Sequence, residues 1–174
     1  MPKTLAELNL LDRAQFADAL GSIYEHSSWI PREAWSRRPF ATIDELHAAM
    51  VDVVARAGRD RQLTLIRAHP ELAGKAMVRD RLTADSTAEQ SGAGLTQCSP
   101  HEFARLQDLN ARYNAKFGFP FILAVKGYDR AGVIAEFERR IDNDLDQEFA
   151  ECLRQIDKIA RRRLDSDYGP GTNG

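Results

Sequence analysis

Asp146-Gln147-Glu148-Phe149-Ala150-Glu151-Cys152-Leu153-Arg154-Gln155-Ile156-Asp157-Lys158-Ile159-Ala160-Arg161-Arg162-Arg163-Leu164 can be read in only one way. At about 100° per residue, Phe149, Cys152, Leu153, Ile156, Ile159 and Ala160 fall on one continuous apolar stripe, so the spacing predicts a long amphipathic helix over 146–164. Arg163 falls about 40° from Phe149 at that period, on the same core-facing side, whereas Arg161 and Arg162 point away. A charge on a buried face requires a partner. Two readings of Arg163 stay open: a helix end that reaches solvent or meets its own C-terminal dipole, or a functional guanidinium.

Helical signals extend outward from this stretch over most of the chain. Asp12 reads as the N-cap of a first helix carrying Phe16, Leu20, Ile23 and Tyr24 and ending near Ser27-Ser28. Pro31 and Pro39 frame a short helical turn with Trp29 and Trp35. Thr42-Ile43-Asp44-Glu45 is a capping box opening a helix whose inward stripe is Ile43, Leu46, His47, Met50, Val53 and Val54, closing near Gly58. A helix over 60–68 is ended by Pro70, because the residue before proline disfavours the α region. Ser99-Pro100-His101-Glu102 is a second capping box, with proline at the first helical position, and its helix carries Phe103, Leu106, Leu109, Asn110 and Tyr113 to Phe117 and Gly118. Phe119–Val125 reads as a buried extended run, and a further helix is expected over 130–144. The expectation is an all-α protein: one compact multi-helix domain over residues 1–174, with 165–174 a flexible tail.

Composition narrows the function classes. The 174 residues are 43% hydrophobic and 29% charged with a net charge of −2, which argues against nucleic acid or an anionic membrane as partner. No apolar run is long enough to span a bilayer, and the N-terminal residues have no apolar signal core. Cys98 and Cys152 stand apart without metal-ligand spacing, in keeping with a reducing, cytoplasmic compartment. There is no HExxH, CxxC, GxGxxG or phosphate-cradling glycine loop, so neither a metal nor a cofactor is expected.

Side-chain chemistry concentrates in two blocks, Arg67-Ala68-His69-Pro70-Glu71-Leu72-Ala73-Gly74 and Leu82-Thr83-Ala84-Asp85-Ser86-Thr87-Ala88-Glu89-Gln90. Together they hold an imidazole, a hydroxyl, a carboxylate and an amide, a set suited to proton transfer on a small polar molecule. Among the four histidines, His47 lies on an apolar helix face, His101 in an exposed first turn, and His26 beside a helix end. His69 alone sits at an enforced helix stop, where a loop presents a ring to a cleft. Ser86-Thr87-Ala88-Glu89 also fits a capping box, with Ser86 as cap; a helix N-terminus that binds an anion fits the same residues. Gly92-Ala93-Gly94 is either a plain loop or a bend around a ligand.

Read together, these motifs resemble the 2-oxo-4-hydroxy-4-carboxy-5-ureidoimidazoline (OHCU) decarboxylase family of urate degradation. The resemblance runs from Trp29-Ile30 and Arg38-Pro39-Phe40, through the His69-Pro70 and Ser86-Thr87-Ala88-Glu89-Gln90 blocks, to Leu109-Asn110, Tyr113, Phe117–Phe121, Lys158-Ile159 and Arg163-Leu164. It implies an all-α homodimer without cofactor, acting on a ureidoimidazoline to give (S)-allantoin. It implies His69 and Glu89 as catalytic residues, and Pro70, Ser86, Glu89, Gln90, Phe121, Ile122 and Arg163 as substrate-binding residues. Lys126 stands where the family more often has arginine. The alternatives are a non-catalytic helical interaction module, and a cofactor-free lyase or hydrolase acting on a related ureido compound.

Overall fold

The computed structural model describes residue 2 and residues 4–74 and 83–170. Nine α-helices and two 3₁₀ turns form among these residues, with no strand, so the all-α expectation holds. The chain divides into two compact units, residues 1–68 with 157–174, and residues 69–156.

The first unit holds α1 (Leu5–Leu10), α2 (Arg13–Ala19), α3 (Trp29–Ala34), α4 (Ile43–Arg56) and α5 (Arg59–Ala68). Each start has a local chemical cause. Thr4 and Glu7 form a capping box that opens α1, a helix ahead of the first one expected. Asp12 caps α2 as expected, with Gln15 bonding back. That helix stops at Ala19 instead of running to Ser27. Leu20 leaves helical geometry and Gly21, a poor helix former, follows it. Leu20, Ile23 and Tyr24 stay buried all the same, now on a turn. Thr42 accepts from the Glu45 amide to open α4, while the Glu45 carboxylate takes the Ala41 N–H in place of the Thr42 N–H. Leu46, Ala49, Met50, Val53 and Val54 are its buried residues; Ile43 and His47 are half-buried. α3 packs on both α2 and α4. Asn9 ties Phe40 in place, donating to its carbonyl at 2.8 Å and accepting from its amide at 2.9 Å.

The last helix, α9 (Leu145–Tyr168), contributes Asp157–Tyr168 to this unit. It continues beyond the expected end at Leu164, and the Tyr168 hydroxyl donates to the Ala19 carbonyl at 3.2 Å. His47 Nε2 lies 2.8 Å from the Asp157 carbonyl, a structural partner for this histidine on its apolar helix face. Burial pushes the His47 pKa down, partly offset by that bond. Asp157 Oδ1 and the Tyr24 hydroxyl are buried without a hydrogen-bond partner among the described residues. Burial accordingly pushes the Asp157 carboxyl up to about 7.

The second unit holds α6 (Ala84–Gly92), α7 (Pro100–Phe117), α8 (Arg130–Arg140) and Leu145–Ile156 of α9. α7 has the expected capping box from Ser99 and Glu102, proline at its start, and Gly118 at φ +76° as a left-handed C-cap. Leu106, Leu109, Asn110 and Tyr113 are buried as expected; Phe103 is not, being 38% exposed in the first turn. α8 ends at Arg140, short of 144. Residues 119–125 are buried and form no regular element, and Tyr113, Phe117, Phe119, Phe121, Phe137 and Phe149 interlock as an aromatic core.

Candidate active site

His69 begins the second unit immediately after α5 and is 8% exposed. Proline at 70 supplies no N–H and restricts the residue before it, so the helix cannot continue through this point. The turn Glu71–Gly74 that follows is tight: a Cβ added at Gly74 would come within 2.7 Å of the Glu71 Cβ. Ala73 sits at φ +50°, in the left-handed region that costs a residue bearing a Cβ about 1–2 kcal/mol. Such a conformation persists only where its surroundings over-determine it.

The surroundings here are side-chain amides. Gln90 accepts the Ala73 N–H at 2.9 Å and donates to the Glu71 carbonyl at 3.3 Å. Asn110 donates to the Leu72 carbonyl at 2.9 Å, and Gln107 to the Ala73 carbonyl at 2.6 Å. Asn114 donates to the Glu71 carboxylate at 2.7 Å.

Gln90 is 2% exposed and Ser86 4%, one helical turn apart on the buried side of α6, with Glu89 half-buried beside them. The cap of this helix is Thr83, whose hydroxyl accepts the Ser86 N–H at 3.2 Å. Ser86 is therefore not the N-cap: it lies inside the first turn with its side chain turned inward. The capping-box reading fails because Thr83 already provides the acceptor.

The segment Phe119–Val125 is pinned by polar contacts from two helices. Arg140 Nη1 donates to the Ile122 carbonyl at 2.6 Å, and the Ala124 N–H donates to Gln155 at 3.0 Å. Phe121 is stacked on Phe137 with centroids 3.9 Å apart, and the Arg140 guanidinium lies 4.3 Å over the Phe121 ring. Phe121 is fully buried, its ring committed to these neighbours. Arg140 and Glu148, both 0% exposed, form a buried ion pair that also takes the Tyr113 hydroxyl at 2.5 Å. Cys152 lies against this cluster, its thiol pushed up to about 11 mainly by burial.

The structure thus brings His69, Pro70, Ser86, Glu89, Gln90, Phe121 and Ile122 into one unit; within it, direct contact is seen between Gln90 and the turn that follows Pro70. Arg163 belongs to the other unit, where it is 6% exposed. It donates to Glu25 at 2.9 Å and to the Ser22 carbonyl at 3.0 Å. It therefore neither reaches solvent nor merely caps its own helix. Glu25, Gln107, Asn114 and Arg140 were not singled out from sequence. A signal for two of them existed: Gln107, Asn110 and Asn114 recur at the i, i+3, i+7 spacing that places them on one helix face beside the apolar stripe. The Gly92-Ala93-Gly94 stretch borders an open cleft of about 390 Å³ with Glu102, Tyr128 and Arg130, and no expected site residue lines it. Among the described residues no His, Cys, Asp and Glu cluster is arranged to hold a metal.

A buried imidazole just ahead of a strained and clamped turn, with a hydroxyl and an amide on the buried face of an adjacent element of sequence, suits general acid–base chemistry. Residues 9–165 match the family described as OHCU decarboxylase. The chain belongs to that family. It is 43% identical over 161 residues to the 2-oxo-4-hydroxy-4-carboxy-5-ureidoimidazoline decarboxylase of Haloferax volcanii, covering 92% of this chain and 94% of the relative. It is 38% identical over 163 residues to the mouse (Mus musculus) protein of the same name, covering 92% and 90%. A crystal structure of (S)-allantoin synthase superposes with a TM-score of 0.76 at 32% identity; it covers 96% of this chain, which spans 54% of that longer chain. A crystal structure of OHCU decarboxylase in the presence of (S)-allantoin, 23% identical with a TM-score of 0.65 over 80% of this chain and 90% of that one, shares the fold.

Proposed function

We propose that this member of the OHCU decarboxylase family decarboxylates 2-oxo-4-hydroxy-4-carboxy-5-ureidoimidazoline to (S)-allantoin. The observation that carries the reading is the family match over nearly the whole chain, together with a buried His69 just ahead of the strained turn at the head of the second unit.

The chemistry needs little beyond orientation and proton handling. When the carbon–carboxylate bond breaks, its electron pair forms a double bond to the neighbouring ring carbon, and the C=N pair moves onto nitrogen. The substrate carries its own electron sink. The resulting enol gives up its hydroxyl proton, and the ureido-bearing carbon takes one up on a single face, which sets the S configuration. CO2 and allantoin are the products, with one proton consumed per carboxylate lost. His69 is the proposed proton carrier, contributing about 10²–10⁴-fold, with Glu89 orienting the ring or the substrate hydroxyl. Ser86, Pro70 and the backbone of Phe121 and Ile122 are proposed contacts to the ring and ureido edges. Gln90 has both ends of its amide committed to the turn and retains one further N–H to offer. Arg163, held by Glu25, is the proposed guanidinium contact. It helps catalysis more on the ring carbonyl, where negative charge grows, than on the carboxylate, whose charge departs.

The test is a circular-dichroism time course on substrate freshly made from urate by uricase and a 5-hydroxyisourate hydrolase. Wild-type protein should drive a rapid S-allantoin signal above the slow racemic background, and His69→Asn should abolish it without loss of helicity. An inert, folded wild type would refute the reading. We further propose a cytoplasmic homodimer: among the described residues no helix is long and apolar enough to cross a membrane, and a single species of twice the chain mass in sedimentation would establish the dimer.

A further inference from the structure

The geometry points to Gln107 and Asn110 as positioning residues for His69, acting through the turn that follows it. This rests on His69 being the proton carrier of the proposed decarboxylation. Three successive carbonyls of the turn, those of Glu71, Leu72 and Ala73, are each taken by a different side-chain amide: Gln90 from α6, and Asn110 and Gln107 from α7. The Ala73 N–H goes to Gln90 as well. A short turn ordinarily spends such groups on its own backbone or on water. Here two helices supply them from outside, to a turn whose Ala73 holds a positive φ that the chain would otherwise leave.

Rigidity at the turn is handed back to the imidazole through very few free torsions. Pro70 fixes its own φ, and a residue before proline is biased away from the α region. With the Leu72 and Ala73 carbonyls held, the His69 backbone is joined to a fixed point through Glu71 and a proline of locked φ, which narrows the range it can sample. Asn110 is 2% exposed and makes its bond in the interior; Gln107 is half-buried, so that it can be altered with less risk to the core. Both clamps are uncharged. They fix the turn without adding a charge that would bias the protonation of the ring beside it.

The experiment compares Gln107→Met and Asn110→Leu, which keep side-chain bulk and lose the N–H donor, with wild type and His69→Asn. Steady-state S-allantoin formation gives kcat and KM. Ring ¹H–¹³C spectra of the four histidines report the imidazoles, with His69 assigned as the signal missing in His69→Asn. We expect kcat to fall about 10- to 100-fold with KM within about threefold, the loss produced by a displacement near 1 Å. The His69 signal and its titration midpoint should move while those of His26 and His101 do not. A folded variant with kcat within about threefold of wild type overturns the assignment. So does a loss of kcat with the His69 signal unmoved, since the amides would then act elsewhere. If Asn110→Leu fails to fold, Gln107→Met decides alone. Full turnover by His69→Asn would instead overturn the reading of His69 itself, whatever the amide variants do.

Discussion

Replacing Glu148 with glutamine leaves a charged Arg140 in the core of the second unit with no carboxylate beside it. Both side chains are 0% exposed, and one carboxylate oxygen serves Arg140 Nε at 2.8 Å, Arg140 Nη2 and the Tyr113 hydroxyl at 2.5 Å. The other oxygen accepts from Asn143 at 3.0 Å. Burial by itself pushes the Arg140 pKa down, and the Glu148 contact more than reverses that, so the guanidinium stays ionised. Glutamine keeps the volume, but its NH₂ group must face donors, either Arg140 and Tyr113 or Asn143. Breaking a buried pair from one side costs about 3–5 kcal/mol. At about 2–4 °C per kcal/mol for a chain of this size, the melting temperature should drop by roughly 6–20 °C. Urea unfolding should show the midpoint falling with an unchanged slope, the sign of lost stability without a change in compactness. The double replacement Arg140→Met with Glu148→Leu should recover most of the loss, because a well-packed apolar pair is often no worse than a buried ion pair. It should still lower turnover, since Arg140→Met removes the donor that holds the Ile122 carbonyl. A loss below about 1 kcal/mol for Glu148→Gln would refute the claim that this pair is sealed from water.

Three further outcomes follow from the same physics. Asp157 has a carboxyl raised to about 7, so between about pH 4 and pH 7 the folded state holds a proton that the unfolded state has released, and stability must fall as pH rises through that window. Asp157→Asn should flatten that part of the stability profile and gain a few kcal/mol at pH 8, as chemical denaturation across pH would show. Thr83→Ala should cost about 1 kcal/mol, roughly 2–4 °C, by removing the true cap of α6, a loss that scanning calorimetry can resolve. Glu25→Gln should cost about 3–5 kcal/mol through the buried Arg163, and the loss should persist in high salt, since screening acts weakly on buried pairs.

The legible parts of this chain are those where one residue's neighbours along the sequence determine its state. The stripe from Phe149 to Ala160, the Ser99–Glu102 box and the stop before Pro70 are local, and each stands where it was expected. The misses are places where two local rules compete. Both Thr83 and Ser86 are chemically able to cap α6, and only the backbone decides between them. Leu20, Ile23 and Tyr24 keep helical spacing after the helix has ended, because a compact turn buries the same residues. Partners are a different matter. Periodicity places Arg163 on a buried face, and says nothing of Glu25, which comes from a distant turn of the same unit.

The amides are the least legible of all, and the reason bears on what they do. A buried charge announces itself in a sequence because it requires a counter-charge, whereas asparagine and glutamine are equally at home on a surface. That neutrality is what a proton carrier needs from its supports. A lysine or glutamate gripping the Glu71–Ala73 turn would hold it as firmly, and would shift the protonation of His69 by direct Coulomb interaction in a poorly solvated place. Amide donors on Leu72 and Ala73 confine the same backbone with a far weaker field. The strained φ of Ala73 then ceases to be an oddity of the loop. It belongs to a turn whose three carbonyls go to two helices, and it can be held there because those helices answer each carbonyl with an uncharged N–H.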